Sequence, residues 1–427
     1  MSPKLFKMLS QKDLDKQQIK KDIVSGIIVA IIALPLSIAL AISSGVSPEK
    51  GLITAIFAGF VISLLGGSKV QIGGPTGAFV VIVYGIVQQH GIDGLIIATI
   101  MAGIILIIMG VLRLGDLIKY VPKTITVGFT SGIAVTLLIT QFKDFFGLQI
   151  QNVPAEALEK LECYIENINT FDIMAFIVGL ACIILMIYWP KVNKNIPGSL
   201  IALIVATAVV KIFSINIDTI GSVYSNISSS IPAPSIPKVD IKSIIPLIQP
   251  AITIAILAAI ESLLSCVVSD NMIDDTHDSN AELIAQGAGN IASALFGGIP
   301  ATGAIARTAA NVRSGGRSPI SGIVHAVTLL LIMVILMPLA KLIPMTVLSA
   351  ILIIVSYNMG EWKEMKEMLH LPKKDVIVLY TTFILTIVFD LVLAIGVGMA
   401  MHIVFNIISK SNKADDIDQN ENLEKAI

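Results

Sequence analysis

Long apolar runs constrain this chain more than any other feature. Ile23–Ile42, Leu95–Leu112 and Phe171–Trp189 each approach twenty residues with almost no charge. Wound as helices, such runs span about 30 Å of hydrocarbon. Of the 427 residues, 55% are hydrophobic and 14% charged, whereas a water-facing surface of this size takes roughly a quarter charged residues. The sequence therefore predicts an all-α polytopic membrane protein in contact with the lipid bilayer. Net charge, -1, decides little, because in a membrane protein the placement of charge outweighs its sum.

Fourteen membrane segments are read along the chain, among them 22–44 as the first, 74–89 as the third, 243–268 as the eighth and 301–314 as the tenth. Segments three and ten are short and rich in Gly, Pro and Thr. The last two, 375–390 and 391–409, are divided only at Asp390. With the N-terminus inside, Lys12, Lys69, Arg113, Lys119, Lys123, Lys191, Lys194, Arg313, Arg317, Lys363, Lys366, Lys373, Lys374, Lys410 and Lys413 all fall on the inner side. That asymmetry is the positive-inside rule, and it predicts a cell (inner or cytoplasmic) membrane protein with both termini cytoplasmic. The start does not read as a signal peptide: the first apolar run is too long and lacks a small-residue cleavage site.

A repeat organises the chain. Gly74-Pro75-Thr76-Gly77-Ala78-Phe79 reappears in the second half as Pro300-Ala301-Thr302-Gly303-Ala304-Ile305, each time after a Gly-Gly pair. The same offset lays Pro35 of segment one onto Glu261 of segment eight. Seven segments per half is an odd number, so the halves must run in opposite senses. The expected plan is a 1–21 cytoplasmic N-terminal segment, a first repeat over 22–214, a 215–242 extracytoplasmic linker, a second repeat over 243–409 and a 410–427 acidic cytoplasmic tail. Inverted repeats with broken helices at matching positions point to a transporter with its site at the membrane midplane.

The broken segments carry the expected chemistry. A Gly/Pro interruption leaves backbone N–H groups bare at the start of a half-helix, and lipid cannot satisfy them. Those groups and the helix dipole favour an anion. Thr76, Gly77 and Ala78 in one half, and Gly303, Ala304 and Ile305 in the other, are the expected anion-binding residues. Arg307 lies one turn further and adds fixed positive charge. Glu261 is the acid at the centre of a long apolar helix, with Ser265 one turn on along the same face; the pair is the expected ion-coupling site, unless Glu261 serves as a structural ion-pair partner for Arg307. His325 and His402 read as satisfied packing histidines, and Asn280, Glu282, Gln286 and Asn290 as interhelical hydrogen-bond partners. Cys163, Cys182 and Cys266 form no disulfide framework and no zinc spacing. No nucleotide loop, nucleophile elbow or metal-ligand cluster occurs, so no enzyme, cofactor, metal or nucleic-acid reading follows.

At these positions the sequence resembles the SulP sulfate-permease family, also called solute carrier family 26. The resemblance covers nearly all of residues 20–410. It rests on Ala33-Leu34-Pro35-Leu36, Ser44-Gly45-Val46-Ser47-Pro48, Gln71 to Phe79, Ile260 to Ser265, Asn280 to Gly287 and Arg307 to Asn311. It implies a seven-plus-seven inverted repeat with core and gate domains and an anion site between segments one, three, eight and ten. Members usually add a cytoplasmic STAS domain; here only the tail follows, so the reading is of a transmembrane part without one. Sodium-coupled bicarbonate members have an Asp and a Thr where this chain has Glu261 and Ser265, and a Thr where it has Ile305. That leans toward a co-transported proton, with sodium less favoured. Many members have Gln where Leu36 stands. The expected function is a secondary active transporter of small anions (sulfate, bicarbonate, chloride or dicarboxylate), with which a homodimer is compatible. A sodium-coupled bicarbonate symporter, a nucleobase–cation symporter of the same fold and an anion channel are the alternatives.

Overall fold

The computed structural model describes residues 3–11, 13–116, 122–193, 196–224, 227–235, 237, 244–389, 393–405 and 407. Lys12, Lys119, Lys194, the break at Asp390, Lys410, Lys413 and the acidic tail lie outside them, as does part of the 215–242 linker.

The first half opens with a short amphipathic helix, α1 (Lys4–Gln11), which buries Leu5 and Met8. There follow α2 (Lys16–Ser43), α3 (Pro48–Leu65), strand β1 (Gly73–Gly74), a 3-10 turn Gly77–Phe79 and α4 (Val80–Val111). Helices α5 (Lys123–Phe145), α6 (Ala157–Glu166), α7 (Ile173–Val192) and α8 (Gly198–Ile212) complete it. The second half runs through α9 (Ile248–Ile273), α10 (Ser279–Leu295), strand β2 (Thr302–Gly303), α11 (Ile305–Arg313), α12 (Ile320–Ala340), α13 (Met345–Met359), α14 (Trp362–Glu367), α15 (Lys373–Val388) and α16, residues 393–405.

Eight stretches among the described residues are helical, long and apolar enough to cross a membrane, and α8 and α16 are shorter apolar helices. One of the eight, Gly77–Val111, contains the third and fourth expected segments: Gly91, at φ 67° and ψ -172°, breaks the helix between them. A side chain is strained at that φ, which glycine adopts freely. Helix α10, the ninth expected segment, is not among the eight: it has 17 residues and carries Asn280, Glu282, Gln286, Asn290 and Ser293, all buried.

Two compact units divide the chain. The first comprises residues 1–118 and 137–356, the second 119–136 and 357–427. In the first unit the two halves interlock: α10 packs on α3 and α4, α12 on α2 and α3, and α9 on α4 and α11. Of the expected interhelical polar groups, Glu282 and Asn290 bridge to other segments, whereas the Gln286 side chain bonds within its own helix to Glu282 and its Oε1 has no partner among the described residues. Glu282 is fully buried and accepts from the Gly67 and Ser68 N–H groups at 2.9 and 3.3 Å and from Gln286 Nε2 at 2.8 Å. Asn290 holds both backbone groups of Ala301, donating to its carbonyl and accepting from its N–H, each at 2.8 Å. Lys4 and Lys69 both reach Asp275, at 3.2 and 3.3 Å, and tie α1 to the loop before α10. The second unit has its own small core of Val127, Met365, Met368 and Leu379.

Candidate functional site

The two broken segments meet inside the first unit. Strands β1 and β2 pair antiparallel, Gly73 opposite Gly303 and Gly74 opposite Thr302. Antiparallel pairing is what an inverted repeat dictates when its two matching segments touch. Each strand runs directly into a helix start. The Ala304 N–H is satisfied by the Ile72 carbonyl, and the helices begin immediately after, at Gly77 and Ile305. Neither Thr76 nor Ala304, at the two cap positions, gives a side-chain cap. The first N–H groups of both helices therefore keep their hydrogen-bonding capacity for something outside the helix.

Glycine is required where these strands pack. A Cβ on Gly303 would overlap the Gln71 side-chain amide, and one on Gly74 would overlap Arg307 Nη1. Gln71 anchors a fully buried network. Its Nε2 donates to the Ser262 carbonyl at 3.0 Å, and its Oε1 accepts from Ser265 Oγ at 2.8 Å and Thr308 Oγ1 at 3.3 Å. Thr308 Oγ1 in turn accepts from the Ile72 N–H at 3.1 Å. The network fixes both strands to α9 and α11.

The charged residues stand on this frame. Arg307 is 1% exposed, so it does not snorkel to an aqueous mouth. Its Nη2 donates to the Pro75 carbonyl at 2.9 Å, while Nε and Nη1 have no partner among the described residues. Glu261 accepts from Thr76 Oγ1 at 2.9 Å, and no ion pair joins it to Arg307 among the described residues. The structural ion-pair alternative for Glu261 is thus replaced by a hydrogen bond to the cap residue of the first half-helix. Ser265 faces Gln71 and Thr308 instead of Glu261. Gly77, Ala78 and Ala304 are buried, whereas Ile305 is 41% exposed. His325 departs from expectation: it is fully buried, yet neither ring nitrogen has a partner among the described residues. Gln71 and Thr308 escaped the residue-by-residue reading. Their signal was a polar side chain near each glycine break, Gln71 two residues before Gly73 and Thr308 five after Gly303.

A chain of long apolar helices, folded as two inverted halves whose broken segments cross, is a multi-pass membrane transporter. The sulfate permease family model matches residues 19–382, and the chain belongs to that family. It is 42% identical to YvdB of Bacillus subtilis (strain 168), over 92% of this chain and 74% of that protein. It is 34% identical to the bicarbonate transporter BicA of Picosynechococcus sp. (strain ATCC 27264 / PCC 7002 / PR-6), over 93% of this chain and 71% of that one. Among solved structures, the transmembrane domain of a cyanobacterium bicarbonate transporter BicA superposes with a TM-score of 0.81 at 29% identity, covering 90% of this chain and 98% of that domain. The structure of SLC26A9 gives 0.86 at 20% identity, covering 94% and 68%, a likeness of fold.

Proposed function

We propose that the chain is a secondary active carrier of a small anion, working by alternating access with a proton as the coupled ion. One observation carries the reading: two uncapped helix starts meet across paired strands, beside a buried guanidinium with two unpartnered nitrogens. Bare N–H groups, two helix dipoles and a fixed cation in a water-poor place favour negative charge. Thr76, Gly77, Ala78, Gly303, Ala304 and Ile305 form the cradle, and Arg307 supplies the charge. Sulfate and bicarbonate are the first candidates, from the family and from BicA; chloride and dicarboxylates complete the panel.

Glu261 is the coupling residue in this reading. Ionised, it accepts the Thr76 hydroxyl hydrogen. Protonated, it donates to Thr76 Oγ1 instead, which frees the Thr76 hydrogen for the anion. A proton on Glu261 thus adds a donor to the cradle and removes a negative charge from its wall. Sodium is the second candidate ion; against it, the Ser265 hydroxyl donates toward Gln71 and Thr308 and makes no contact with Glu261 among the described residues. The repeats, 22–214 and 243–409 joined by 215–242, exchange access with both termini cytoplasmic, and two copies pair as a homodimer.

The test is uptake into proteoliposomes of labelled sulfate, bicarbonate, chloride and a dicarboxylate under imposed pH or sodium gradients. Saturable accumulation of at least one anion, driven by the pH gradient and indifferent to sodium, is expected. Accumulation driven by sodium alone replaces the proton, and flux that never saturates replaces the carrier with a channel.

A further inference from the structure

A second chamber lies away from the crossing strands. Its volume is about 390 Å³, and it is walled by the end of α2, the first part of α4, the end of α5, α6, the start of α7 and the start of α13. With the N-terminus inside, these helix ends face outward. Tyr84 stands in its wall, two helical turns beyond Gly77 and so ~10 Å along the axis from the cradle.

Lys160 is the unusual member of that wall. It is 3% exposed, and long charged side chains are almost never so buried unless paired. Its ammonium donates to the Ala155 carbonyl at 2.9 Å and sits 4.7 Å from the centre of the Tyr84 ring. No carboxylate lies within ion-pair distance of it among the described residues. An ammonium has three hydrogens, so two are left for the chamber. The acids of the wall are otherwise engaged: Asp172 caps α7 through the Met174 and Ala175 N–H groups, and Asp218 accepts from Gln149 and Ser222. Lys143 and Asp144 also line the chamber, a neighbouring cation and carboxylate that form no ion pair among the described residues. Tyr164 and Tyr224 line the same space, and neither hydroxyl has a hydrogen-bond partner among the described residues.

We infer that this chamber is a second anion site, an outer holding position in which Lys160, Tyr164 and Tyr224 bind a small anion before it reaches the strand crossing. The protonation states fit. Burial pulls the Lys160 ammonium down to about 8, the behaviour of a cation without a counter-ion. It pushes the Tyr224 phenol up to about 12, with Asp144 adding to the effect, and raises Tyr164 likewise. Around neutral pH the wall therefore offers Lys160, a cation without an ion-pair partner among the described residues, and two phenolic donors, beside Lys143 and the carboxylates of Asp144, Asp172 and Asp218.

The role in uptake rests on the carrier reading, whereas occupancy of the chamber does not, so two measurements are paired. Crystals soaked in bromide are expected to give an anomalous peak beside Lys160 Nζ in the wild type and in K160R, and none in K160M. In proteoliposomes, K160M should raise the KM for anion supplied from the outer side several-fold at an unchanged maximal rate, and K160R should not. Should K160M fail to give a monodisperse protein, K160Q reads the same loss of charge. Absence of the wild-type peak overturns the inference. A peak that survives in K160M, or one whose loss leaves the outer KM unchanged, marks an adventitious ion only and overturns it equally. If no anion is transported at all, the carrier reading fails, and the peak with its loss in K160M decides the chamber alone.

Discussion

Replacing Arg307 by Met tests the cradle through an energy balance that the surroundings of the side chain define. The guanidinium is 1% exposed, makes one hydrogen bond to the Pro75 carbonyl and leaves Nε and Nη1 bare. Burying a charge without a partner costs several kcal/mol, and the one charge-assisted hydrogen bond returns about 1.5–3 kcal/mol. Met fills similar space and removes both terms but leaves the Pro75 carbonyl unpaired, at a cost of about 1–3 kcal/mol, so R307M without ligand is expected to lie close to the wild type in stability. Anion binding should behave oppositely. Loss of a charge-assisted contact of about 1.5–3 kcal/mol weakens affinity roughly ten- to a hundredfold. At an anion concentration a hundred times the wild-type Kd, ligand stabilisation is about 2.7 kcal/mol, and a hundredfold weaker Kd leaves only about 0.4 kcal/mol. Thermal unfolding in detergent, with and without sulfate, bicarbonate or chloride, separates the two effects. An R307M protein that is destabilised by more than about 3 kcal/mol yet keeps the full anion-dependent shift would refute this reasoning, because Arg307 would then be a structural tie.

Further outcomes follow from the same contacts. Gly303→Ala should prevent accumulation of folded protein, since the new Cβ overlaps the Gln71 amide; adding Gln71→Ser should recover part of the yield by size-exclusion chromatography. Asn290→Leu leaves both Ala301 backbone groups unpaired and should lower stability by about 2–4 kcal/mol, read as a drop in Tm. Glu261→Gln should abolish accumulation driven by a pH gradient while anion-dependent thermal stabilisation persists; undiminished accumulation would remove Glu261 from coupling.

The architecture was legible in the sequence wherever one local feature fixed it. Apolar runs require helices in lipid, and the recurrent Thr-Gly-Ala breaks located the segments that proved to form β1 and β2. What was not legible depended on which way a side chain turns after the halves interlock. Glu261 takes Thr76 as partner and Arg307 takes Pro75, because β1 lies where both can be served by groups of the Pro75-Thr76 pair. A helical offset of one turn placed Ser265 on the Glu261 face, but Gln71, from the other repeat, claims its hydroxyl. His325 reads as a satisfied core residue by composition, and only the packing of α12 on α3 leaves its ring nitrogens bare. Helix α10 shows the converse: its polar residues read as interhelical hydrogen-bond partners, and Glu282 and Asn290 find such partners in Gly67, Ser68 and Ala301.

The separation of Arg307 from Glu261 is itself informative about how a proton could drive an anion. Had the two formed an ion pair, each would have cancelled the other, and the cradle would present only helix dipoles. A buried pair also resists being opened, because breaking it strands a charge at a cost of about 3–5 kcal/mol. Unpaired, the two charges act on the cradle independently. With Glu261 ionised, the guanidinium and the carboxylate nearly neutralise each other at the anion's position. With Glu261 protonated, a full positive charge remains and the Thr76 hydrogen is released. Coulomb interactions are strong where water is scarce, so the protonated form binds the anion more tightly. Linkage then requires that the anion bind the proton more tightly in return. In the proposed mechanism a proton and a monovalent anion bound together leave little net charge in the cradle, whereas either alone leaves an uncompensated charge, so no separate device is needed to forbid passage of one ion by itself.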